Sequence, residues 1–324
     1  MKKILRIFLL AVCMIGSSCG RDFIIRGVDG EQRPVLYCFP SNLSDTTFIR
    51  CLWTKSVNGG EERTGGMENV SIFFRLNGEE KTVIPSAAVS DGKSGALFYV
   101  LGKLKEGDAV EVKARLSDGK VVSAVTAVPQ AFPLKTIRIR KTRASGLSAV
   151  RFQVTLQDNQ VAEDYYGMKV LYKNRYTVHY SEGTQKSVSC PLVLDTDKEP
   201  LLSDRFEVDD VFHLSDDFYQ HLYIWNDRKI DGQEYTLSLD FLPESSDILN
   251  IPEENAVYKI ILYALSEDLY KYLKSVNTLN NNDLGKAGLA PVHKKYTNVV
   301  NGLGIVAGCN VYETDWMEAS SLTE

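Results

Sequence analysis

The chain has 324 residues, of which 44% are apolar, 10% aromatic and 24% charged, a composition that excludes disordered, collagen-like and coiled-coil proteins. Its formal net charge is −5, and this becomes −8 once Lys2, Lys3 and Arg6 of the first 18 residues are set aside. Binding to nucleic acid depends on clustered Lys and Arg, so an acidic chain of this kind predicts no nucleic-acid partner.

The first 18 residues have the pattern of an export signal. Met1-Lys2-Lys3 is positively charged, 4–15 is apolar with one interruption, and Gly16-Ser17-Ser18 are small. Cys19 follows directly, as in a bacterial lipobox, where this residue is acylated and becomes the new N-terminus. We therefore predict a lipoprotein signal peptide and lipidation of Cys19; the alternative is a secretory peptide with an incidental cysteine. No other run approaches the ~20 apolar residues that span a bilayer, so lipid alone would attach the chain to the membrane.

Four further cysteines remain after the signal and Cys19, namely Cys38, Cys51, Cys190 and Cys309. Cys38 and Cys51 lie in two β-rich runs joined by a turn-prone segment, and a hairpin with its midpoint between residues 44 and 45 would place them opposite each other. A disulfide is then sterically allowed in an oxidising compartment, and two buried free thiols are the equal alternative. Cys190 and Cys309 have no spacing that favours a bond. Because the sequence has no Cys-x-x-Cys and no close His–Cys spacing, we expect no zinc site. We also expect no cofactor.

The next segments predict a tether over 19–33 and a first domain over 34–128. Short apolar runs alternate with turn signals such as Asn77-Gly78 and Asp118-Gly119, which is typical of an immunoglobulin-like or prealbumin-like β-sandwich. The seven strands are expected at 34–39, 46–55, 69–76, 80–84, 96–101, 108–116 and 120–128.

Two prolines bound the segment 129–133, which we interpret as a linker. A second, β-rich domain is predicted over 134–312, followed by a tail over 313–324, so that the whole protein is mainly β. Its strands are expected at 134–141, 148–157, 165–180, 206–214, 234–242 and 256–264, with a closing strand that ends near Tyr312. The alternation at 135–141 predicts one solvated strand face.

A single helix is predicted over Leu265–Val276. Ser266 is a suitable N-cap, acidic residues follow in the first turn, and the apolar residues share one face that predicts core packing. The polar segment 277–291 is expected to be a loop.

Catalytic and metal signals are weak. His213 lies between the acidic pairs at 209–210 and 216–217, which is more typical of a solvated strand end than of a catalytic base. The run Asp195–Glu199 has oxygen ligands at alternate positions, but it lacks the Gly and distant Glu of an EF-hand, so a plain acidic loop is favoured over a calcium site. No Gly-x-Ser-x-Gly elbow occurs, and we predict that the protein is not an enzyme.

Aromatic residues favour a binding role instead. Tyr219, Tyr223 and Trp225 fall in the charged, turn-rich segment 216–231, where exposed aromatic side chains would form a contact surface for a glycan or a peptide.

Several segments in one order resemble a known family. They are the lipobox, the strand and linker from Asp118 to Pro129, Asp164-Tyr165-Tyr166, the helix from Leu265 to Tyr272, and the run from Tyr296 to Ile305. Together they resemble Bacteroidetes outer-membrane lipoproteins that are built on a domain of unknown function, over residues 19–312. Members of that family are often encoded beside TonB-dependent receptors, which implies a transporter partner at the cell envelope.

The resemblance and the residues together predict a lipid-anchored, non-catalytic accessory protein of a TonB-dependent outer-membrane receptor. The alternative is a structural or adhesive surface lipoprotein, such as a fimbria-like or scaffold component. Only one acidic residue occurs in the four positions after Cys19, so both the cell surface and the periplasmic face stay open.

Overall fold

The structure is a computed structural model. It describes residues 32–54, 70–86, 95–144, 146–160, 162–174, 178–180, 183–185, 189–202, 221–242, 256–280 and 294–320. Residues 33–53 and 65–324 form one compact unit, and the other unit, 1–32 and 54–64, contributes only Gln32 and Thr54 to the described residues. The predicted signal peptide and Cys19 lie outside the described residues, as does the predicted strand at 206–214.

The N-terminal part is built from two sheets. Its strands are β1 (Pro34–Cys38), β2 (Thr46–Trp53), β3 (Ser71–Leu76), β4 (Glu79–Lys81), β5 (Ile84–Pro85), β6 (Gly95–Leu101), β7 (Ala109–Arg115) and β8 (Val121–Ala127). The first sheet contains β1, β2, β6 and β5 in this spatial order, and the second contains β4, β3, β7 and β8. All pairings among these eight strands are antiparallel.

Alternating apolar residues explain how the two sheets pack. In β7, Val110, Val112 and Ala114 are fully buried, while the residues between them are half-buried. They share one core with Ile49 of β2 and Phe74 of β3, so the inner faces of the first and second sheets meet. The predicted mainly β architecture, with its N-terminal sandwich, is confirmed.

The described residues of the C-terminal part form the remaining strands, one helix and a short 3-10 turn at Pro200–Leu202. The strands are β9 (Leu134–Ala144), β10 (Leu147–Gln157), β11 (Tyr165–Asn174), β12 (Val178–Tyr180), β13 (Gly183–Gln185), β14 (Cys190–Pro191), β15 (Tyr223–Asn226), β16 (Glu234–Phe241), β17 (Ala256–Leu265), β18 (Leu303–Val306) and β19 (Cys309–Glu313). The third sheet has the order β16, β10, β9, and the fourth has the order β14, β11, β17, β19, with β15 also paired to β11. The single strand expected at 165–180 is wrong, because β12 pairs with β13 in a separate hairpin instead of continuing the β11 ladder.

The helix α1 (Glu267–Asn280) packs on one face of the fourth sheet, and the third sheet packs on the other. The Ser266 hydroxyl accepts a hydrogen bond from the Leu269 N–H at 3.3 Å, so the predicted N-cap is confirmed. The helix runs four residues beyond its predicted end, because Val276 and Asn277 are both buried and hold the last turn against the core. No helix among the described residues is long and apolar enough to cross a bilayer.

The C-terminal segment joins the two parts. β18 lies parallel to β1 at the edge of the first sheet, and β19 lies antiparallel to β17 in the fourth. Two glycines permit the close approach: a Cβ at Gly304 would lie 2.2 Å from the Leu36 carbonyl oxygen, and one at Gly308 would lie 2.1 Å from the Ala127 carbonyl oxygen. The chain end therefore connects the sandwich to the helix-bearing layers.

Candidate functional site

The predicted aromatic contact surface is wrong for two of its three residues. Tyr223 and Trp225 belong to β15 and are only 3% and 2% exposed. Trp225 lies opposite Tyr166 of β11, and its ring packs against Tyr166 and Phe132 at centroid distances of 5.9 and 6.4 Å. Tyr219 lies outside the described residues, as does His213. The unbroken apolar run from Leu222 to Trp225 was the signal of a strand buried on both faces.

The hairpin register that would place Cys38 opposite Cys51 is wrong. Cys38 lies opposite Ile49 and Cys51 opposite Leu36, because the hairpin midpoint falls one residue earlier than expected. Both thiols are buried and free, the second of the two alternatives, and Cys190 and Cys309 are free as well. Burial raises the pKa of Cys51 to about 12, and burial together with the neighbouring Cys51 raises the pKa of Cys38. Thiols in this state are poor nucleophiles.

The acidic run Asp195–Glu199 is held by protein donors. Glu199 is buried, and its carboxylate accepts hydrogen bonds from the Tyr235 hydroxyl at 2.6 Å, from the Ser238 N–H at 3.1 Å and from the Leu201 N–H at 3.2 Å. Asp195 accepts a bond from the Asp197 N–H, which is the local geometry of an Asx turn. Glu199 therefore stabilises the third sheet and the 3-10 turn.

Three aspartates that the sequence analysis did not single out meet beside β11. Asp158 follows β10, Asp164 precedes β11 and Asp227 follows β15, and one carboxylate oxygen of each lies within 4.8 Å of the others. Oxygen atoms in this arrangement can hold a hard cation or share a proton. Their positions at three separate strand ends leave no local motif, which is why sequence reasoning missed them.

Hydrogen bonds from the protein hold this aspartate cluster together. The Tyr166 hydroxyl donates to Asp158 at 2.7 Å and lies 3.4 Å from an Asp164 carboxylate oxygen, and the Gly232 N–H donates to Asp158 at 2.8 Å. The Asp164 N–H donates to the Asp227 carboxylate at 2.7 Å. Burial, and then repulsion by Asp158 and Asp227, raises the pKa of Asp164; burial is also the main cause that raises the pKa of Asp227.

A cavity of about 490 Å³ opens beside the aspartate cluster, at the N-terminus of α1. We call it the acid cavity, because its wall includes Glu163, Asp164, Glu267 and Asp268, together with Tyr165. Burial, followed by the charges of Glu163 and Glu267, raises the pKa of Tyr165 to about 12, as expected where the local potential is negative.

The carboxylates of the acid cavity also have structural partners. Glu163 forms a two-pronged pair with Arg228 at 2.6 and 3.2 Å, and Glu267 pairs with Lys271 one turn along the helix at 2.7 Å. Asp268 accepts bonds from the Tyr296 hydroxyl at 2.5 Å and the Asn298 amide at 2.9 Å. Acidic residues in the first turn of a helix interact favourably with the helix dipole. This interaction gives Glu267 and Asp268 a structural role.

A second cavity, of about 390 Å³, is lined by Lys173, Val257, Trp316 and Glu318. We call it the tryptophan cavity. The Lys173 ammonium lies 4.1 Å from the centroid of the Trp316 ring, and the Lys259 ammonium lies 5.7 Å from it. Trp316 lies in the segment predicted as a tail, and sequence reasoning assigned it no role.

Comparison with known proteins gives a family but no activity. Residues 24–315 match the family model described as a domain of unknown function, DUF4249. No curated protein matches the chain. Among solved structures, the secreted serine protease VesC from Vibrio cholerae aligns at 8% sequence identity over 70% of this chain and 49% of that chain, with a TM-score of 0.19. The chain thus spans about half the length of the protease, and a similarity this low carries no argument.

Proposed function

This chain belongs to the DUF4249 family of domains of unknown function, and we propose that it is a lipid-anchored cell-envelope protein that captures a solute without catalysis. In this proposal it acts as an accessory partner of a TonB-dependent outer-membrane receptor. The observation that carries it is Gly16-Ser17-Ser18-Cys19 directly after an apolar run, which supports lipid attachment. The receptor partnership is supported by the resemblance to Bacteroidetes lipoproteins.

The state of the reactive groups supports a binding role over catalysis. Burial raises the pKa values of the Cys38, Cys51 and Cys309 thiols, which opposes thiolate formation at neutral pH. Glu163 and Glu267 of the acid cavity form ion pairs with cationic side chains, as structural carboxylates do. The two cavities supply the surfaces on which a glycan or a peptide would be captured.

Lipid attachment is tested on the intact protein. Mass spectrometry of the N-terminal peptide should show an acylated Cys19 with residues 1–18 removed, and Cys19→Ala should leave the protein without lipid. A wild-type N-terminus that begins elsewhere, or an unmodified Cys19, would contradict the anchor.

The receptor partnership is tested by mild-detergent purification of the tagged lipoprotein from outer membranes. A TonB-dependent receptor should be recovered in a constant ratio to the lipoprotein. Recovery of the chain alone would contradict the partnership, and recovery with further copies of itself or with surface fibres would favour the structural or adhesive alternative.

A further inference from the structure

The segment that carries Trp316 is firmly attached to the C-terminal part. The Thr314 N–H donates to the Ile260 carbonyl at 3.0 Å, and Met317 and Tyr258 exchange two backbone hydrogen bonds, each of 2.8 Å. Three residues further on, Ser320 bonds to Ile139 and Lys141 of the third sheet. Backbone bonds therefore fix the chain on both sides of the indole.

A bulge in this segment displaces Trp316 from the regular strand. In β19, Glu313 lies opposite Ile261, so an unbroken ladder would place residue 316 opposite Tyr258. Met317 occupies that place instead, which inserts one extra residue between Thr314 and Met317. A bulge of this kind turns a side chain away from its regular direction and is frequent beside functional sites. Met317 and Ala319 pack on the core, whereas Trp316 and Glu318 line the tryptophan cavity.

The tryptophan cavity combines an apolar aromatic ring with polar side chains beside it. Trp316 provides the aromatic ring and Val257 also lines the cavity, while Lys173 can donate hydrogen bonds and Glu318 can accept them. The Lys259 ammonium forms an ion pair with the Glu313 carboxylate at 2.9 Å. An aromatic face fits the C–H face of a pyranose ring, and donors and acceptors beside it fit the hydroxyl groups.

We infer that the tryptophan cavity binds a sugar ring of a glycan, with the ring stacked on Trp316 and its hydroxyl groups bonded to Lys173 and Glu318. The ammonium of Lys173 occupies the indole face in the free protein, and its flexible stem allows it to move to the rim when a ring takes its place. Trp316 and Glu318 follow the last residue of the family match, whereas Lys173 and Val257 lie within it. The inference rests on the proposed function for its setting and names the ligand class that the proposal leaves open.

The test uses the full-length lipidated protein in mild detergent on a printed array of plant, animal and bacterial glycans. Wild-type protein should bind at least one glycan, and Trp316→Ala should lower the apparent affinity for it about tenfold, as for a central aromatic contact. Lys173→Met should weaken binding as well, and Trp316→Phe should retain part of it. The matched control is Tyr312→Ala, since Tyr312 is an aromatic residue that is 45% exposed in β19 and does not line the cavity.

Two results would overturn the inference: no glycan bound by the wild type, or equal binding by the wild type and Trp316→Ala. Thermal melting of each variant separates loss of the site from loss of the fold, and Trp316→Phe keeps the comparison valid if the alanine variant is unstable. Receptor recovery from membranes is measured separately, on both the wild type and Trp316→Ala. Glycan binding without a receptor would refute the partnership alone, and receptor recovery without glycan binding would refute the sugar site alone.

Discussion

Gly304→Ala should destabilise the protein through two separable effects. Gly304 has a φ of +97°, which an L side chain rarely adopts, and its added Cβ would lie 2.2 Å from the Leu36 carbonyl oxygen. The backbone strain costs about 1–2 kcal/mol. The overlap is with backbone, so β18 must move away from β1, and overpacking of this kind costs about 1–3 kcal/mol. The sum, about 3 kcal/mol, is a large share of a total stability of roughly 5–15 kcal/mol.

Two other glycines separate the effects. Gly119 has a φ of +81° with nothing within 4 Å of its added Cβ, so Gly119→Ala measures backbone strain alone. Gly308 lacks a positive φ, but its Cβ would lie 2.1 Å from the Ala127 carbonyl oxygen, so Gly308→Ala measures steric overlap alone. Urea unfolding of the three variants should show the largest loss for Gly304→Ala, with a melting temperature lowered by roughly 6–10 °C. If Gly304→Ala loses no more stability than Gly119→Ala, the close approach of β18 to β1 is refuted.

Three further predictions concern the aspartate cluster, the thiols and the corrected aromatic residue. Because the folded-state pKa values of Asp164 and Asp227 are raised above 3.8, their contribution to stability is fully present below pH 3.8 and is lost as the pH rises through the raised values. As the pH rises from 3.5 to 7, the free energy of unfolding measured in urea should therefore fall less for Asp164→Asn than for the wild type. Parallel pH profiles of the two proteins would contradict the raised pKa of Asp164. Iodoacetamide at pH 8 should leave Cys38 and Cys51 unmodified in the native protein and modify both in urea, as peptide mass spectrometry would show; native labelling would contradict their burial. Trp225→Ala should lower the free energy of unfolding by about 3–5 kcal/mol, because its side chain is buried. A change within about 0.5 kcal/mol would instead favour an exposed Trp225.

Periodic patterns allowed most of the fold to be predicted. The two-residue alternation in β7 and β10 reflects one buried and one half-buried or exposed face, and that signal is local. The N-cap at Ser266 is equally local, since it depends on the hydroxyl and the next three residues. The register of β1 against β2 is different, because a shift of one residue in the turn moves each partner by two, and turn-prone residues at 41–45 do not fix that position.

The candidate sites depend on contacts between distant segments, which a single sequence does not encode locally. The aspartate cluster joins residues from three strand ends, and the tryptophan cavity joins β11, β17 and the chain end. Aromatic content was a correct guide to large contact area, but it did not distinguish core from surface. Tyr223 and Trp225 lie in a short buried strand, and the charged residues on either side of it indicated a surface segment instead. Trp316 lies in a bulge.

The run from Tyr296 to Ile305 is one of the segments that carry the family resemblance, and its contacts show that it has a structural role in the fold. The Asn298 amide donates to Asp268 at the start of α1 and to the Val306 carbonyl, and its oxygen accepts the Val306 N–H. Val300 forms a bridge to Ser123 of β8, and β18 follows at Leu303 in the first sheet. One segment thus contacts the start of α1, β8 and β1, and the residue type matters at Asn298 for its side-chain bonds and at Gly304 for its close approach to Leu36. The contacts of this run connect parts of the fold, so a ligand site is better sought where a side chain is held by the fold yet faces a cavity, as Trp316 does.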